Sequence, residues 1–324
     1  MKYCLGVDVG NTKTMGAIST TNGSVLCKVK GKGANFQTVG IENSLKELKK
    51  IIDKCFEVTK LNAEDIDYSF FGVAGADSKD DEKVIITILN KLPLNNYDFE
   101  NDGRISLKAS AIDDKGILIT CGTGTVAFAG NGEKIFRLGG LSSNFGDRLG
   151  SEYIASRVIS LIIRAKDGRG QPTKMVEFLE KKIEMPAESL MKMDYPDSYS
   201  KVDYVPILIE VLFKAGKEYD AVALKLLLEI TEEIEIESRV LTSMAGLSDN
   251  IPLILDGHFF KNAEEYFYKI LNSLLPKNLN IVVPDCDPVV GALMIAIEKL
   301  QPLENVLVSK LKRSYKKCEL IKIK

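Results

Sequence analysis

Apolar residues in this chain fall into two kinds of run, short continuous ones and longer ones with helical spacing. Short runs that predict buried strands open the chain and recur at residues 66–73, 116–121 and 251–255. Between them, apolar residues three and four apart predict amphipathic helices, the clearest of which covers residues 41–59. Strands that alternate with helices in this way are typical of an α/β fold.

The opening strand and turn are repeated about one domain later. The first turn reads Asp8-Val9-Gly10-Asn11-Thr12-Lys13-Thr14, and the second reads Gly122-Thr123-Gly124-Thr125. Because glycine has no Cβ and threonine adds a hydroxyl, such turns can close on an anion. Two turns of this kind suggest two lobes that grip one polyphosphate, which favours an ATP-dependent phosphotransferase. The alternative for the second turn is a tight hairpin, since it lacks the G-K-[ST] of a Walker A motif.

The second half restarts the strand pattern and then becomes mostly helical. Helical spacing predicts helices at residues 148–165, 173–182, 202–213, 218–244, 261–274 and 288–300. The lysine-rich residues 309–324 are expected to form a solvated terminal segment. The prediction is therefore a duplicated α/β architecture with a helical second lobe and a hinge near residues 112–116.

Composition limits the function classes. The chain has 324 residues, with 43 Lys and Arg against 45 Asp and Glu, so no global charge favours nucleic acid or a membrane surface. No apolar run is long enough to span a bilayer, and the first strand begins at once, so we expect a cytoplasmic protein without a signal peptide. Six cysteines without a C-x-x-C pair and a single histidine, His258, argue against a zinc site.

Two carboxylates are candidates for phosphoryl transfer, which needs charge neutralisation, a metal and a base. Asp8 ends the first strand and would hold Mg²⁺ through water, while Thr12 and Lys13 would donate to phosphate oxygens. Asp102, at a strand-to-helix junction, is the candidate base. The alternatives are turn formation for Asp8 and helix N-capping for Asp102, and spacing alone favours capping. Asp147 has the same ambiguity.

Six short motifs, in order along the chain, resemble the BadF/BadG/BcrA/BcrD ATPase family and, within it, the N-acetylglucosamine kinase branch. They are the first turn, Asn101-Asp102, Gly122-Thr123-Gly124, Gly139-Gly140 followed by Gly146-Asp147, Asp256-Gly257, and Pro288-x-x-Gly291-Ala292. The resemblance implies the two-lobed, ribonuclease-H-like fold of the actin-like ATPases. It also implies an N-terminal lobe of residues 1–113 plus 288–324 and a C-terminal lobe of residues 114–287.

The resemblance further implies an ATP-dependent kinase, with Mg²⁺, that phosphorylates a hydroxyl (the 6-OH) of N-acetylglucosamine, N-acetylmuramic acid or both. Asp102 would deprotonate that hydroxyl, and Asp8 would lie near Mg²⁺. The matches to ATP-binding positions are Asp8, Asn11, Thr12, Lys13, Gly122, Thr123, Gly124, Gly216, Gly257, His258 and Asn262. The matches to sugar-binding positions are Asn35, Gly75, Asp102, Gly140, Leu141, Asp147 and Arg148. Relatives are often homodimers, and cell-wall sugar recycling is the natural setting.

Two positions beside the expected sugar pocket depart from the pattern of these kinases. Leu141 stands where they tend to have tryptophan, and Arg148 stands where they tend to have glutamate. A roomier pocket with a guanidinium would suit the lactyl carboxylate of N-acetylmuramic acid. The alternative is that Arg148 faces solvent. The preferred sugar stays open among N-acetylglucosamine, N-acetylmuramic acid, glucosamine and glucose.

Other classes compete with the sugar kinase. The nearest is the activator ATPase of 2-hydroxyacyl-CoA dehydratases or benzoyl-CoA reductase, whose cysteines hold an iron–sulfur cluster. Residues 146–151, where its motif would lie, contain no cysteine. A sugar-responsive repressor would need an N-terminal helix-turn-helix, and here the fold starts by residue 3. A filament-forming actin-like protein would leave Asn35 without a role.

Overall fold

The computed structural model describes residues 1–193 and 204–323. The chain forms two compact units, one of Met1–Lys115 with Pro284–Lys324 and the other of Gly116–Val283. The lobe bounds expected from the sequence lie a few residues away from these, and their assignment as functional lobes stays a prediction.

Five β-strands and four α-helices lie within residues 1–110. The strands are β1 (Tyr3–Val9), β2 (Lys13–Thr20), β3 (Val25–Lys32), β4 (Ile66–Val73) and β5 (Tyr97–Asn101), and the helices are α1 (Phe36–Val39), α2 (Ile41–Thr59), α3 (Lys79–Leu89) and α4 (Asp102–Ser110). β1 pairs antiparallel with β2 and parallel with β4, and β4 pairs parallel with β5. The predicted helix 41–59 is confirmed at both ends. Its apolar stripe, which includes Leu48 and Ile52, is buried against β2 and β3.

The second unit contains a five-stranded sheet and six of the twelve α-helices that the described residues form. Its elements are β6 (Lys115–Cys121), β7 (Thr125–Asn131), β8 (Ile135–Gly139), α5 (Ser151–Lys166), α6 (Met175–Ile183), α7 (Val205–Lys217), α8 (Ala221–Ala245), β9 (Ile251–Asp256), α9 (His258–Asn262), α10 (Glu265–Leu274) and β10 (Leu279–Val282). The strand order is β10-β9-β6-β7-β8.

Two of the helices predicted for this unit differ from the helices that the structure shows. The single helix expected at residues 261–274 is wrong, because Ala263 and Glu264 take extended backbone angles and separate α9 from α10. The helix expected at residues 202–213 begins outside the described residues, and α7 continues beyond it to Lys217.

The end of the chain returns to the first unit as α11 (Val289–Glu298), α12 (Asn305–Lys317) and β11 (Leu320–Lys322). α11 is apolar on all sides and packs against β1, β4 and α4. The prediction of a solvated terminal segment is wrong, because α12 buries Val308, Leu311 and Tyr315 on one face. β11 then pairs parallel with β3 and completes the order β11-β3-β2-β1-β4-β5.

Candidate functional site

Asp8 and Asp102 lie at the same edge of the first unit's sheet. β1, β4 and β5 run parallel, with Val9, Val73 and Asn101 paired side by side at their carboxyl ends. Neighbouring strands lie about 4.8 Å apart, so the ends of β1 and β5 are about 10 Å apart. Asp8, near the end of β1, is 7% exposed, and Asp102 begins α4 directly after β5. Ligands of open α/β folds bind at this edge of the sheet.

Asn101, and not Asp102, caps helix α4. The Asn101 side-chain oxygen accepts the N–H of Gly103 at 2.9 Å, and its amide donates to Asp77 Oδ1 at 2.8 Å. The N-cap alternative for Asp102 is therefore wrong. Asp102 occupies the first helical position, where the helix dipole stabilises a negative charge. Its assignment as the base stays a prediction.

The turn between β1 and β2 packs closely against the segment that follows β3. The Gly10 N–H donates to the Lys13 carbonyl at 3.0 Å, and a Cβ on Gly33 would lie 1.8 Å from the Asn11 carbonyl oxygen. Asn35, which is 4% exposed, donates from Nδ2 to Asn11 Oδ1 at 2.7 Å. The Asn11 side chain therefore holds Asn35 in place.

Gly75, in the loop after β4, lies beside Asn35. Its carbonyl accepts Gln37 Nε2 at 3.3 Å, and a Cβ on Gly75 would lie 3.0 Å from Asn35 Oδ1. The φ angle of Gly75 is +87°, which favours glycine. Two predicted sugar contacts, Asn35 and Gly75, are thus brought together, while Thr12 is exposed in the β1–β2 turn.

Lys13 lies near Asp287, which in turn binds Tyr315, and sequence reasoning indicated neither of these two residues. Its Nζ lies 3.7 Å from Asp287 Oδ1, and Asp287 Oδ2 accepts the Tyr315 hydroxyl at 2.7 Å. Burial, followed by the charge of Asp287 and a smaller effect of Asp8, raises the pKa of Tyr315 far above its ordinary value. The signal for Asp287 was its place directly before the Pro288 motif.

The two glycine turns of the second unit lie on neighbouring strands. Gly122-Thr123-Gly124 follows β6 and Gly257 follows β9, and these strands pair parallel with Thr120 opposite Asp256. A Cβ on Gly257 would lie 2.1 Å from the Cys121 carbonyl oxygen, and the φ of Gly257 is +114°. Only glycine fits that position.

The Gly122-Thr123-Gly124 turn directs carbonyl groups towards helix α5. The Gly122 carbonyl accepts the Ser151 N–H at 2.9 Å, and the Thr123 carbonyl accepts the Glu152 N–H at 3.2 Å. Within the described parts of the chain, the N–H groups of Thr123 and Gly124 have no backbone acceptor, and both residues are exposed. The turn can therefore offer N–H groups and a hydroxyl to an anion.

The other predicted ATP contacts of this unit differ in their surroundings. His258 and Asn262 are exposed one turn apart on α9, where Asn262 Nδ2 donates to the His258 carbonyl at 2.7 Å. Gly216 is buried in α7, and a Cβ there would lie 2.6 Å from the Tyr266 hydroxyl oxygen. Close packing against Tyr266 therefore accounts for glycine at position 216. Contact between Gly216 and ATP stays a prediction.

Asp147 closes the glycine-rich loop after β8. Its Oδ2 accepts the N–H groups of Leu141 and Ser142, each at 2.6 Å. The capping alternative for Asp147 is wrong, because α5 begins after Gly150. Leu141 and Arg148 are both exposed, and whether Arg148 faces a bound sugar stays a prediction.

The same loop is held from β8 and exposes a second apolar side chain. Arg137 Nη2 donates to the Gly140 carbonyl at 3.2 Å, and Gly140 has a φ of +79°. Phe145, which sequence reasoning did not single out, is 77% exposed. The loop therefore presents apolar surface to solvent beside Asp147.

Glu237 on α8 is a further carboxylate that sequence reasoning missed. Its Oε2 is buried and has no hydrogen-bond partner among the described residues. Burial, and then the charges of Glu233 and Asp147, raises the pKa of Glu237 to about 8. The sequence signal for Glu237 was an acid on the mostly apolar inner face of α8.

The Asp8 carboxylate suits a nucleotide-bound Mg²⁺, which takes one or two carboxylates together with phosphate oxygens and water. Across residues 1–193 and 204–323, no group of three or more His, Cys, Asp or Glu side chains is placed to hold a metal ion.

All six cysteines are free, and burial raises the pKa of the Cys121 thiol to about 12. No helix in the described part of the chain is long and apolar enough to cross a membrane.

Known proteins resemble this chain over nearly its whole length. The sequence model of the BadF/BadG/BcrA/BcrD ATPase family matches residues 5–296. The N-acetylmuramic acid/N-acetylglucosamine kinase of Clostridium acetobutylicum is 26% identical over 307 residues, which cover 91% of this chain and 98% of that protein. The N-acetyl-D-glucosamine kinase of Dictyostelium discoideum is 24% identical over 315 residues, which cover 90% of this chain and 97% of that protein.

A solved structure confirms the predicted fold. The crystal structure of a proposed N-acetylglucosamine kinase from Chromobacterium violaceum matches with a TM-score of 0.66 at 18% identity. The match covers 92% of this chain and 99% of that chain.

Proposed function

Because this chain belongs to the BadF/BadG/BcrA/BcrD ATPase family, we propose that it is an ATP-dependent amino-sugar kinase. It transfers the γ-phosphoryl group of ATP to a hydroxyl (the 6-OH) of N-acetylglucosamine, N-acetylmuramic acid or both. The names of the two curated relatives, which match about nine-tenths of the chain, support this substrate class. The observation that carries the proposal is the placement of Asp8 and Asp102 at one edge of the first unit's sheet.

Each group of residues has a part in the proposed transfer. Asp102 accepts the proton of the sugar hydroxyl as the hydroxyl oxygen attacks the γ-phosphorus, and the bond from the γ-phosphorus to the bridging oxygen breaks to release ADP. Thr12, Lys13 and the N–H groups of the Gly122-Thr123-Gly124 turn bind phosphate oxygens. Asp8 would hold Mg²⁺ through water, and the ion would supply positive charge to the phosphate oxygens.

The Asp102→Asn variant tests the proposed base. Asparagine keeps the size of the side chain and removes its basicity, so we expect kcat to fall about 10²- to 10⁴-fold. The dissociation constant for ATP should stay within about twofold of wild type, since Asp102 is assigned to the sugar and not to the phosphates. A coupled ADP-release assay and isothermal titration with ATP measure the two quantities.

Asp80→Asn is the matched control, because Asp80 is also an acid in the first turn of a helix in this unit. It should retain wild-type turnover. An Asp102→Asn enzyme that is as active as Asp80→Asn would remove the base assignment. A wild-type protein that releases no ADP with any amino sugar would remove the kinase proposal.

Arg148 is proposed to favour the acidic sugar by pairing with the lactyl carboxylate of N-acetylmuramic acid. Arg148→Ala should then raise the KM for N-acetylmuramic acid about tenfold and leave that for N-acetylglucosamine unchanged. Arg169→Ala, which removes another exposed guanidinium of the same unit, is the control. Equal effects on the two sugars, or no activity on N-acetylmuramic acid, would discard this assignment.

We also propose, from the resemblance, that the protein is a homodimer and acts in cell-wall sugar recycling. Analytical ultracentrifugation tests the dimer directly. The iron–sulfur activator alternative is not favoured, because the loop at residues 146–151 has no cysteine. A colourless protein without iron is the expected result.

A further inference from the structure

Tyr315, near the end of α12, is joined to Lys13 through Asp287. The Tyr315 hydroxyl donates to Asp287 Oδ2 at 2.7 Å, and Asp287 Oδ1 lies 3.7 Å from Lys13 Nζ. Asp287 directly precedes Pro288, which caps α11. Three segments that are far apart in the sequence thus meet at the start of β2.

The Tyr315 ring is fixed independently of its hydroxyl. Tyr315 is 3% exposed and belongs to the apolar cluster that α11 and α12 form with β1 and β2. Lys28 Nζ lies 4.5 Å from the ring centroid and donates to the Tyr315 carbonyl at 3.1 Å. The Val25 N–H donates to Ser314 Oγ at 2.9 Å, which ties α12 to β3. A ring held this firmly gives its hydroxyl few positions, and a buried tyrosine hydroxyl needs a partner.

Without the Tyr315 hydroxyl, the ion pair between Lys13 and Asp287 would have little to fix its geometry. Their side chains are 42% and 40% exposed, and exposed ion pairs hold their geometry weakly. The hydrogen bond from Tyr315 to a charged carboxylate is charge-assisted and therefore stronger and more directional. It fixes one oxygen of Asp287 and so directs the other towards Lys13.

We propose that Tyr315 is a positioning residue for the nucleotide phosphates, acting through Asp287 on Lys13. The inference rests on the proposed function, in which Lys13 binds phosphate. Tyr315 lies beyond residues 5–296, which the sequence model of the family matches. An oriented Asp287 restricts the flexible Lys13 side chain, so less side-chain entropy is lost when a phosphate binds.

Tyr315→Phe removes only the hydroxyl and keeps the buried ring. We expect the dissociation constant and the KM for ATP to rise about 5- to 20-fold, with kcat and the KM for the sugar within about twofold of wild type. Tyr97→Phe is the control, because the Tyr97 hydroxyl donates to Asn90 at the amino end of β5, away from the candidate site. It should leave both ATP constants unchanged.

A double-mutant cycle with Lys13→Met separates positioning from a general structural effect. If Tyr315 acts through Lys13, Tyr315→Phe has no further effect on ATP binding in the Lys13→Met background. Additive effects in the double variant, or a Tyr315→Phe protein that binds ATP like Tyr97→Phe, would overturn the inference. A wild type that binds ATP but phosphorylates no sugar would overturn the proposed function alone, because the ATP dissociation constant still reports on Tyr315. A wild type that binds no ATP would overturn both.

Discussion

Replacing Glu237 with glutamine tests whether α8 carries a carboxyl group that is neutral near pH 7. The Oε2 of Glu237 is buried, and no hydrogen-bond partner for it lies among the described residues. Burial is the main cause that raises its pKa to about 8, and the charges of Glu233 and Asp147 add to it. Glutamine keeps the shape and polarity of the protonated acid but cannot ionise.

The raised pKa sets the sign of the pH dependence. Between pH 4.5 and about pH 8 the folded chain holds a proton that the unfolded chain has released, so wild-type stability falls as pH rises through this window. The whole difference in pKa corresponds to about 5 kcal/mol, and water that reaches the half-buried side chain reduces it. We expect Glu237→Gln to be more stable than wild type by about 1–3 kcal/mol at pH 9 and nearly equal to it at pH 4.5.

Urea unfolding, followed by circular dichroism from pH 4.5 to pH 9, measures this difference. Glu232→Gln is the control, because Glu232 is an exposed acid on the same helix and should show no such trend. A Glu237→Gln advantage that stays constant across the range, or a wild type that is the more stable protein at pH 9, would refute the reasoning.

Two further substitutions test the packing that positions the site. Leu311→Ala, at a fully buried position of α12, should lower the free energy of unfolding by about 2–5 kcal/mol, whereas Val306→Ala, at a 79% exposed position, should leave it within about 0.5 kcal/mol. Equal effects would mean that α12 is not packed on the sheet. Gly257→Ala should destabilise by about 3 kcal/mol or more and abolish ATP binding, because its Cβ would lie 2.1 Å from the Cys121 carbonyl oxygen. Gly168→Ala has a similar positive φ with open space around it and should be milder, as thermal unfolding will show.

The elements with strong local signals were predictable from the sequence. The helix at residues 41–59 and the strand at 66–73 were confirmed at both ends, because a long apolar stripe and a short run rich in β-branched and aromatic residues leave few alternatives. The comparisons also confirmed the predicted family and fold. For the site, the sequence indicated both glycine turns and Asp8, because these are short local motifs, and their functional roles stay predictions.

Predictions failed where distant residues decide burial or bonding. The lysine-rich composition of residues 309–324 indicated a solvated segment, yet Leu311 and Tyr315 of this segment are buried, and β11 pairs with β3 near the start of the chain. Asn101 and Asp102 are equally good caps by composition, and only the backbone geometry at the end of β5 decided between them.

Periodicity and short motifs along the chain were therefore enough to predict most of the strands and helices, the two phosphate-turn candidates and the family. Only tertiary contacts bring Asp287 next to Lys13 and Tyr315, and only they bury the Oε2 atom of Glu237, on which the charge of Asp147 acts. Both arrangements depend on contacts between side chains far apart in the chain, which no local spacing encodes.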